Sequence, residues 1–531
     1  MSSGKKIDLA YFYDPLSAGS ISWELGEKRA LDLPLQHLAF TVHCLLAQTT
    51  SDWILFWDFA LGEPDLDLVQ DLSERPVDVW HAGIRLGLGG LPKVLNYVDP
   101  VWMYNCDASP EVTHTSFRMS MRACLIRTDI LRKTGGINAG YESLDMTGIA
   151  MGYSILKQGG IIRYHSQLVK SDYDDDIDIP EKDEWVFARQ FFTKKWQLWS
   201  LFNHPATRKA FKIWSQLKHI KPLLLKPHLH PSAKQGVQQL PHTTVSVLVP
   251  TLDRYSYLIN ELEQLDKQTV LPLEVLITDQ TDKDKRVNID FSNYKKLSIR
   301  YFPQDEKGQV VAWNKLLEEA KGDFVLFLGD DADGITPDFI EKLLLTQQRF
   351  DCDMVASNVT ELGITYTKSD PYYHISDVFP ITLIKRSVLL QTGFMNMFFN
   401  RNIRADGELA MRCHLNGTLM IFDSSATIYH HRAPMGGLRA HKARVITNYI
   451  SKNSISKFSL PTSSEIYLVK KYFKDEQYRN NMRIKYMSQL AVNGGIIRKI
   501  MRAIVLLVKL PYIRKTHKAN VLAAYKAANG E

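Results

Sequence analysis

Apolar positions along this chain fall into short continuous runs separated by stretches with helical spacing. Ile7 to Tyr13 reads as a strand, and a helical stretch around Leu35 to Gln48, just after Pro34, feeds the apolar run Trp53 to Trp57. The same order recurs later. Thr244 to Thr251 reads as a buried strand broken by Pro250, Ser256 to Lys267 as a helix, Leu273 to Thr278 as a strand, and Phe324 to Leu328 as a fully buried strand. Strands alternating with helices predict an α/β fold on a mainly parallel sheet, in which ligands bind at the carboxyl ends of the strands.

The recurrence extends to sequence. Val42 to Leu46 before Asp52 to Phe56 lies over Trp313 to Leu317 before Asp323 to Phe327, and Cys124 to Leu131 followed by Thr134-Gly135-Gly136 parallels Leu383 to Leu390 followed by Thr392-Gly393. An internal duplication of this length predicts two similar domains. The expected organisation is a first copy over 1–184, a basic helical segment and linker over 185–242, a second copy over 243–445, and a helical basic region over 446–531. The linker reading rests on Lys218 to His242, which holds four prolines and no acid.

At 531 residues the chain suits two to four domains, and a hydrophobic fraction of 45% with 23% charged residues is that of a globular protein. A net charge of +7 over this length is too dilute to indicate a nucleic-acid partner. Five cysteines, odd in number and never in a CxxC pair, fit reduced thiols. The start lacks the apolar core of a signal peptide, and no run approaches the roughly 18 apolar residues of a membrane span, so the expected location is cytoplasmic. Residues 496–518 carry seven Lys or Arg and no acid, with Ile497, Ile500, Met501, Ile504, Val505 and Val508 on one helical face. Two readings fit that stretch. It is either a helix lying on an anionic membrane surface, which would hold the protein peripherally on the inner face of the cell membrane, or a C-terminal helix packed on the protein with its basic side in solvent.

The chemistry gathers at the carboxyl end of Phe324 to Leu328, where Asp330, Asp331 and Asp333 follow at once. Like charges that close are tolerated where a cation or solvent offsets them, and Mg²⁺ is commonly held by one or two carboxylates plus substrate phosphates. Read alone, the stretch fits a metal site and a solvated turn before a helix equally well. Arg254 and Asp279 also lie just past predicted strand ends, and three such groups together predict a site. The first copy has only Asp58 at the matching place, and its acidic run Asp172, Asp174, Asp175, Asp176 and Asp178 reads as a solvated loop.

From about Val245 to Arg432 these residues resemble the family 2 inverting glycosyltransferases of GT-A fold. Val247 to Arg254 is similar to the family's opening strand and nucleotide loop, Ile277 to Thr281 to the loop whose aspartate holds the base, and Lys307-Gly308 with Asn314 to the helix ahead of the metal motif. Leu328 to Asp333 resembles the acidic metal motif with Gly329 in place of its first acid, and Trp313 stands where the family often has arginine. Arg404 to Arg412 resembles the motif that supplies the catalytic base, with Ala405 for the first acid and Asp406 retained; its residues also fit a helix start capped by Asp406 with a Glu408–Arg412 pair. The resemblance implies Asp406 as base, and Asp331, Asp333 and His430 as ligands of Mn²⁺ or Mg²⁺. It implies Pro250, Thr251, Asp253, Arg254, Asp279, Lys307, Gly308, Asn314 and Asp330 around a nucleotide-sugar, with a UDP-sugar favoured. The acceptor would be a glycan or lipid-linked glycan, as in envelope polysaccharide synthesis. The first copy, whose Gly148 falls opposite Asp406, would be a non-catalytic relative of the same fold. A nucleotidyltransferase and a non-catalytic sugar-binding or assembly protein are the alternatives.

Overall fold

A computed structural model of the chain describes residues 4–12, 22–31, 35–82, 102–106, 108–138, 140–169, 179–231, 233–234, 240, 242–361, 372–376, 379, 381–431 and 446–528. Tyr13, Pro34, the run Asp172 to Asp178, Arg432 and the boundary at 445 lie outside the described residues.

Two mixed sheets organise it. The first holds β1 (Ile7–Phe12), β2 (Lys28–Leu31), β3 (Trp53–Asp58), β4 (Val79–His81), β5 (His114–Thr115), β6 (Ala123–Arg127) and β7 (Ile162–Tyr164), in the order β2-β1-β3-β6-β4-β7-β5. The second holds β8 (Val245–Thr251), β9 (Glu274–Asp279), β10 (Ile299–Pro303), β11 (Phe324–Phe327), β12 (Ala332–Asp333), β13 (Met354–Glu361), β14 (Tyr373–Ile375), β15 (Thr382–Lys385) and β16 (Met420–His430). Its order is β10-β9-β8-β11-β15-β13-β16-β12, with β14 also on β16.

Neither sheet is mainly parallel, which corrects the expectation from sequence. In the second, β10, β9, β8 and β11 are parallel, but β15 runs antiparallel to both β11 and β13. The strand–helix alternation visible in the sequence covers only the parallel part. Strand for strand, β1 to β7 repeat the chain order and pairing senses of β8, β9, β11, β13, β14, β15 and β16.

The strands pack helices by ordinary periodicity. In Tyr255–Leu265 the residues turned to the core are Leu258, Glu261, Leu262 and Leu265, one face at steps of three and one with a carboxylate inside it. Pro250 sits in β8 beyond the point where β11 stops pairing, since the last bond to that strand runs from the Leu328 N–H to the Leu248 carbonyl. A proline there forfeits no ladder bond on that side.

The two sheets meet through reciprocal contacts. Gly159, after the helix Leu144–Lys157, has a left-handed φ of 98°, and a Cβ there would lie 2.8 Å from the Tyr373 carbonyl of β14. Gly417, after the helix Ala405–Leu415, has φ 82°, and a Cβ there would collide with the Thr113 carbonyl beside β5. The edge strands β5 and β14 are the topological counterparts of each other. The helix Glu181–Phe191 runs through the expected 184/185 boundary; Trp185 and Phe187 are buried, and Asp183 accepts from the Glu142 and Ser143 N–H groups, so this helix belongs to the first unit.

Candidate active site

A cavity of about 650 Å³ opens past the carboxyl end of β11, lined among others by Trp313, Phe327, Asp331, Arg404, Asp406 and His430. Each of its chemical groups arrives on a different element: Asp331 on the turn after β11, His430 on the last residue of β16, and Asp406 on the first turn of Ala405–Leu415. One wall is aromatic, with the Trp313 ring 5.0 Å from Phe327 and Phe327 5.2 Å from Phe379.

The three acids of the turn part company. Only Asp331 lines the cavity, with His430 Nε2 3.2 Å from its Oδ1 and Arg254 Nη1 3.2 Å from its Oδ2. Asp330 is buried beneath it, accepting from Thr251 Oγ1 at 2.9 Å and Arg254 Nη1 at 2.8 Å. Burial pushes the Asp330 carboxyl up to about 6, against the opposing pull of Arg254. Asp333 turns instead to the helix Tyr255–Leu265, where Asn260, Gln264, its following Gly334 N–H and His431 all reach its carboxylate. Burial alone would raise Asp333, but those hydrogen bonds outweigh it and hold the carboxyl below its ordinary range. Asp333, expected as a metal ligand, thus accepts four hydrogen bonds and does not line the cavity.

Asp331 and His430 fit a divalent ion. Their donor atoms stand 3.2 Å apart, close to the roughly 3 Å between neighbouring ligands of an ion bound at about 2.1 Å. No cluster of three or more candidate ligands occurs among the described residues. Two protein donors with the remainder from phosphate and water is a common Mg²⁺ arrangement.

Asp406 is solvent-exposed, at a helix N-terminus whose dipole favours a carboxylate. It does not cap the helix. Arg404 occupies that position in a left-handed conformation, φ 80°, a strained geometry for a side chain of this size beside the cavity. The Glu408–Arg412 pair is present at 2.9 Å. Glu408 is fully buried and also accepts from Lys471 Nζ at 3.0 Å and Tyr472 Oη at 2.7 Å, which ties the Asp406 helix to the C-terminal helix Ser463–Tyr472.

The remaining expected residues divide similarly. Asp253 is exposed with φ 58°, its N–H donating to Thr281 Oγ1. Asp279, expected to contact the base, is fully buried and accepts from the Tyr255 and Tyr301 hydroxyls at 2.6 and 2.5 Å and from the Thr281 N–H. The Asn314 amide, also expected near the nucleotide, exchanges two hydrogen bonds with Met395, both 2.9 Å. Lys307 Nζ pairs with Asp282 at 2.5 Å. Gly308 sits where a Cβ would strike the Asn400 carboxamide, which itself accepts from the Val311 N–H at the start of the next helix.

Sequence reasoning missed three residues. Gln280 bonds the Glu306 carbonyl and both backbone groups of Gly308, clamping the loop before that helix. His431 holds Asp333. Glu261 is fully buried with neither oxygen hydrogen-bonded among the described residues; burial pushes its carboxyl well up, helped by the charges of Asp330 and Asp331, which favours its neutral form. Its signal was a carboxylate at a core position of an otherwise apolar helical face.

The family model described as Glycosyl transferase family 2 matches residues 246–416. The chain is 33% identical over 104 residues to a putative glycosyltransferase, EpsH, of Bacillus subtilis, covering 19% of this chain and 30% of that protein. It is also 33% identical over 100 residues to the uncharacterized glycosyltransferase YwdF of the same organism, covering 19% and 36%. The chain thus spans about a third of the length of these curated relatives. Among solved structures, S. aureus TarS 1-349 is 15% identical with a TM-score of 0.34, covering 54% of this chain and 92% of that one. The mannosyltransferase PcManGT of Pyrobaculum calidifontis, solved with GDP-Man and Mn²⁺, is 15% identical with a TM-score of 0.34, covering 54% and 88%. The family match takes in β9, β11, the acidic turn and the Asp406 helix, so the chain carries a family 2 glycosyltransferase domain over residues 246–416.

Proposed function

We propose that the second unit transfers a sugar from a nucleoside-diphosphate donor to an acceptor hydroxyl with inversion. The observation that carries this reading is one cavity that presents Asp331 with His430 and, from a separate element, the exposed carboxylate Asp406. A sugar hydroxyl has a pKa far above 7 and needs a carboxylate to accept its proton as the oxygen attacks, which is the part assigned to Asp406. Asp331 and His430 would hold a divalent ion, and the ion would supply positive charge against the departing diphosphate. Arg254, bridging Asp330 and Asp331, fixes the turn and places a guanidinium beside the same charge. Exposed Asp253, with Pro250 and Thr251 behind it, is assigned to the nucleoside side. The aromatic wall of Trp313, Phe327 and Phe379 excludes water from the opposite side. A UDP-sugar is the proposed donor and a glycan or lipid-linked glycan the proposed acceptor, in envelope polysaccharide synthesis on the cytoplasmic side.

The first unit is proposed to be a diverged duplicate that does no chemistry. Its Asp58 accepts from the Ala60 N–H and lies 3.5 Å from Arg122 at the end of β3, and Gly148 is packed against the Met119 carbonyl. Arg254 also favours a second reading, in which the guanidinium replaces the metal and the protein binds sugar without turnover. Substitution separates them. Asp331→Asn and Asp406→Asn should each abolish transfer with folding intact, while Asp58→Asn should leave turnover unchanged. Loss of transfer in the Asp58 variant would contradict the division of labour, and absence of Mn²⁺ binding in the wild type would favour the second reading.

A further inference from the structure

The helix Ile496–Val508 is turned the opposite way from an ordinary surface helix. Ile497, Ile500, Met501, Ile504, Leu507 and Val508 all face solvent, with Ile497 at 70% and Val508 at 74% exposure. The residue it buries is Arg502, at 0% exposure. That guanidinium donates to the carbonyls of Gln489, Ser454, Ile455 and Lys457 and to Ser451 Oγ, and lies 4.0 Å from the Phe458 ring. A buried cation held by five acceptors fixes the rotation of the helix about its axis, because turning the apolar face inward would strip Arg502 of them. The helix is thus packed on residues 451–458 and 489 through Arg502, with its apolar face as well as its other basic residues in solvent.

An outward face of this many large side chains calls for a cover. The charges identify it. Arg498, Lys499, Lys509, Arg514, Lys515 and Lys518 are all exposed on this helix and the next, and residues 496–528 contain no acid. A second copy of the chain would bring these cations against their own kind, whereas an anionic bilayer supplies hydrocarbon for the apolar face and phosphate for its flanks. Thirteen residues rise about 20 Å, too little to cross a bilayer, and no described helix is long and apolar enough to do so. We infer that Ile496–Val508 lies in the interface of an anionic lipid bilayer with its apolar face down, held in that orientation by Arg502. This stands whether or not the chain transfers a sugar.

The test is flotation of the full chain with phosphatidylglycerol–phosphatidylcholine vesicles. The wild type should float with these and not with phosphatidylcholine alone, and salt should release it. Ile500→Asp combined with Ile504→Asp should abolish flotation while leaving the urea midpoint unchanged, since both side chains are exposed. Lys499→Gln should weaken binding about fivefold. A wild type that ignores anionic vesicles, or a double variant that floats equally well, would overturn the inference. So would a concentration-dependent dimer broken by the same double variant without any flotation, which would assign the face to a second copy.

Discussion

Glu408→Gln isolates the charge that binds the Asp406 helix to the C-terminal region. The native carboxylate is wholly buried and accepts from Arg412 Nε, Lys471 Nζ and Tyr472 Oη, at 2.9, 3.0 and 2.7 Å. Glutamine keeps the shape and an acceptor for Tyr472 but removes the charge. Complete disruption of a buried pair costs about 3–5 kcal/mol. Here Arg412 keeps the carbonyls of Thr392, Gly393 and Phe394, and Lys471, 36% exposed, recovers water, so the expected loss is about 2 kcal/mol. Burial acts to raise the Glu408 carboxyl, but Arg412, Tyr472 and Lys471 outweigh it and the net shift is downward. A carboxyl depressed in the folded state stabilises above its unfolded pKa, about 4.3, and loses that contribution as pH falls through the folded value. Urea unfolding of wild type and variant should therefore show a gap at pH 7 that closes on acidification below about pH 4. A gap that is absent at neutral pH, or that persists unchanged in acid, would refute the reasoning.

Other outcomes follow from single contacts. Gly308→Ala should displace Asn400 and lower both stability and transfer, because the carboxamide it strikes also caps the next helix; unchanged urea midpoint and turnover would contradict that placement. Glu261→Leu, which removes a buried carboxyl with no hydrogen bond among the described residues and puts in a side chain of similar volume, should raise the urea midpoint, and a fall would show that Glu261 has a partner.

The β8, β9 and β11 runs were legible in the sequence because a buried parallel strand is written as a continuous apolar run, and the acidic turn was legible because three carboxylates so close together repel unless a cation or solvent offsets them. Which acid faces the cavity was not. Asp330, Asp331 and Asp333 differ only in the partners that fold over them, Thr251 and Arg254 for the first, Asn260, Gln264 and His431 for the last, and these come from distant positions. The reversal of β15 was hidden because four apolar-rich residues carry no mark of strand direction. The outward rotation of Ile496–Val508 was hidden for a related reason: helical spacing defines a face, but only the carbonyls around Arg502 decide which face turns inward.

Thermal stabilisation by nucleoside diphosphates in the presence of Mn²⁺ tests the central claim most directly, with UDP, GDP and dTDP compared on wild type, Asp331→Asn and Asp406→Asn. A ligand at about 100 times its Kd adds about 2.7 kcal/mol to the folded state. The account predicts that UDP with Mn²⁺ stabilises the wild type and Asp406→Asn alike, and that the metal-dependent part disappears in Asp331→Asn. No stabilisation of the wild type by any of the three, or equal metal-dependent stabilisation of Asp331→Asn, would contradict it.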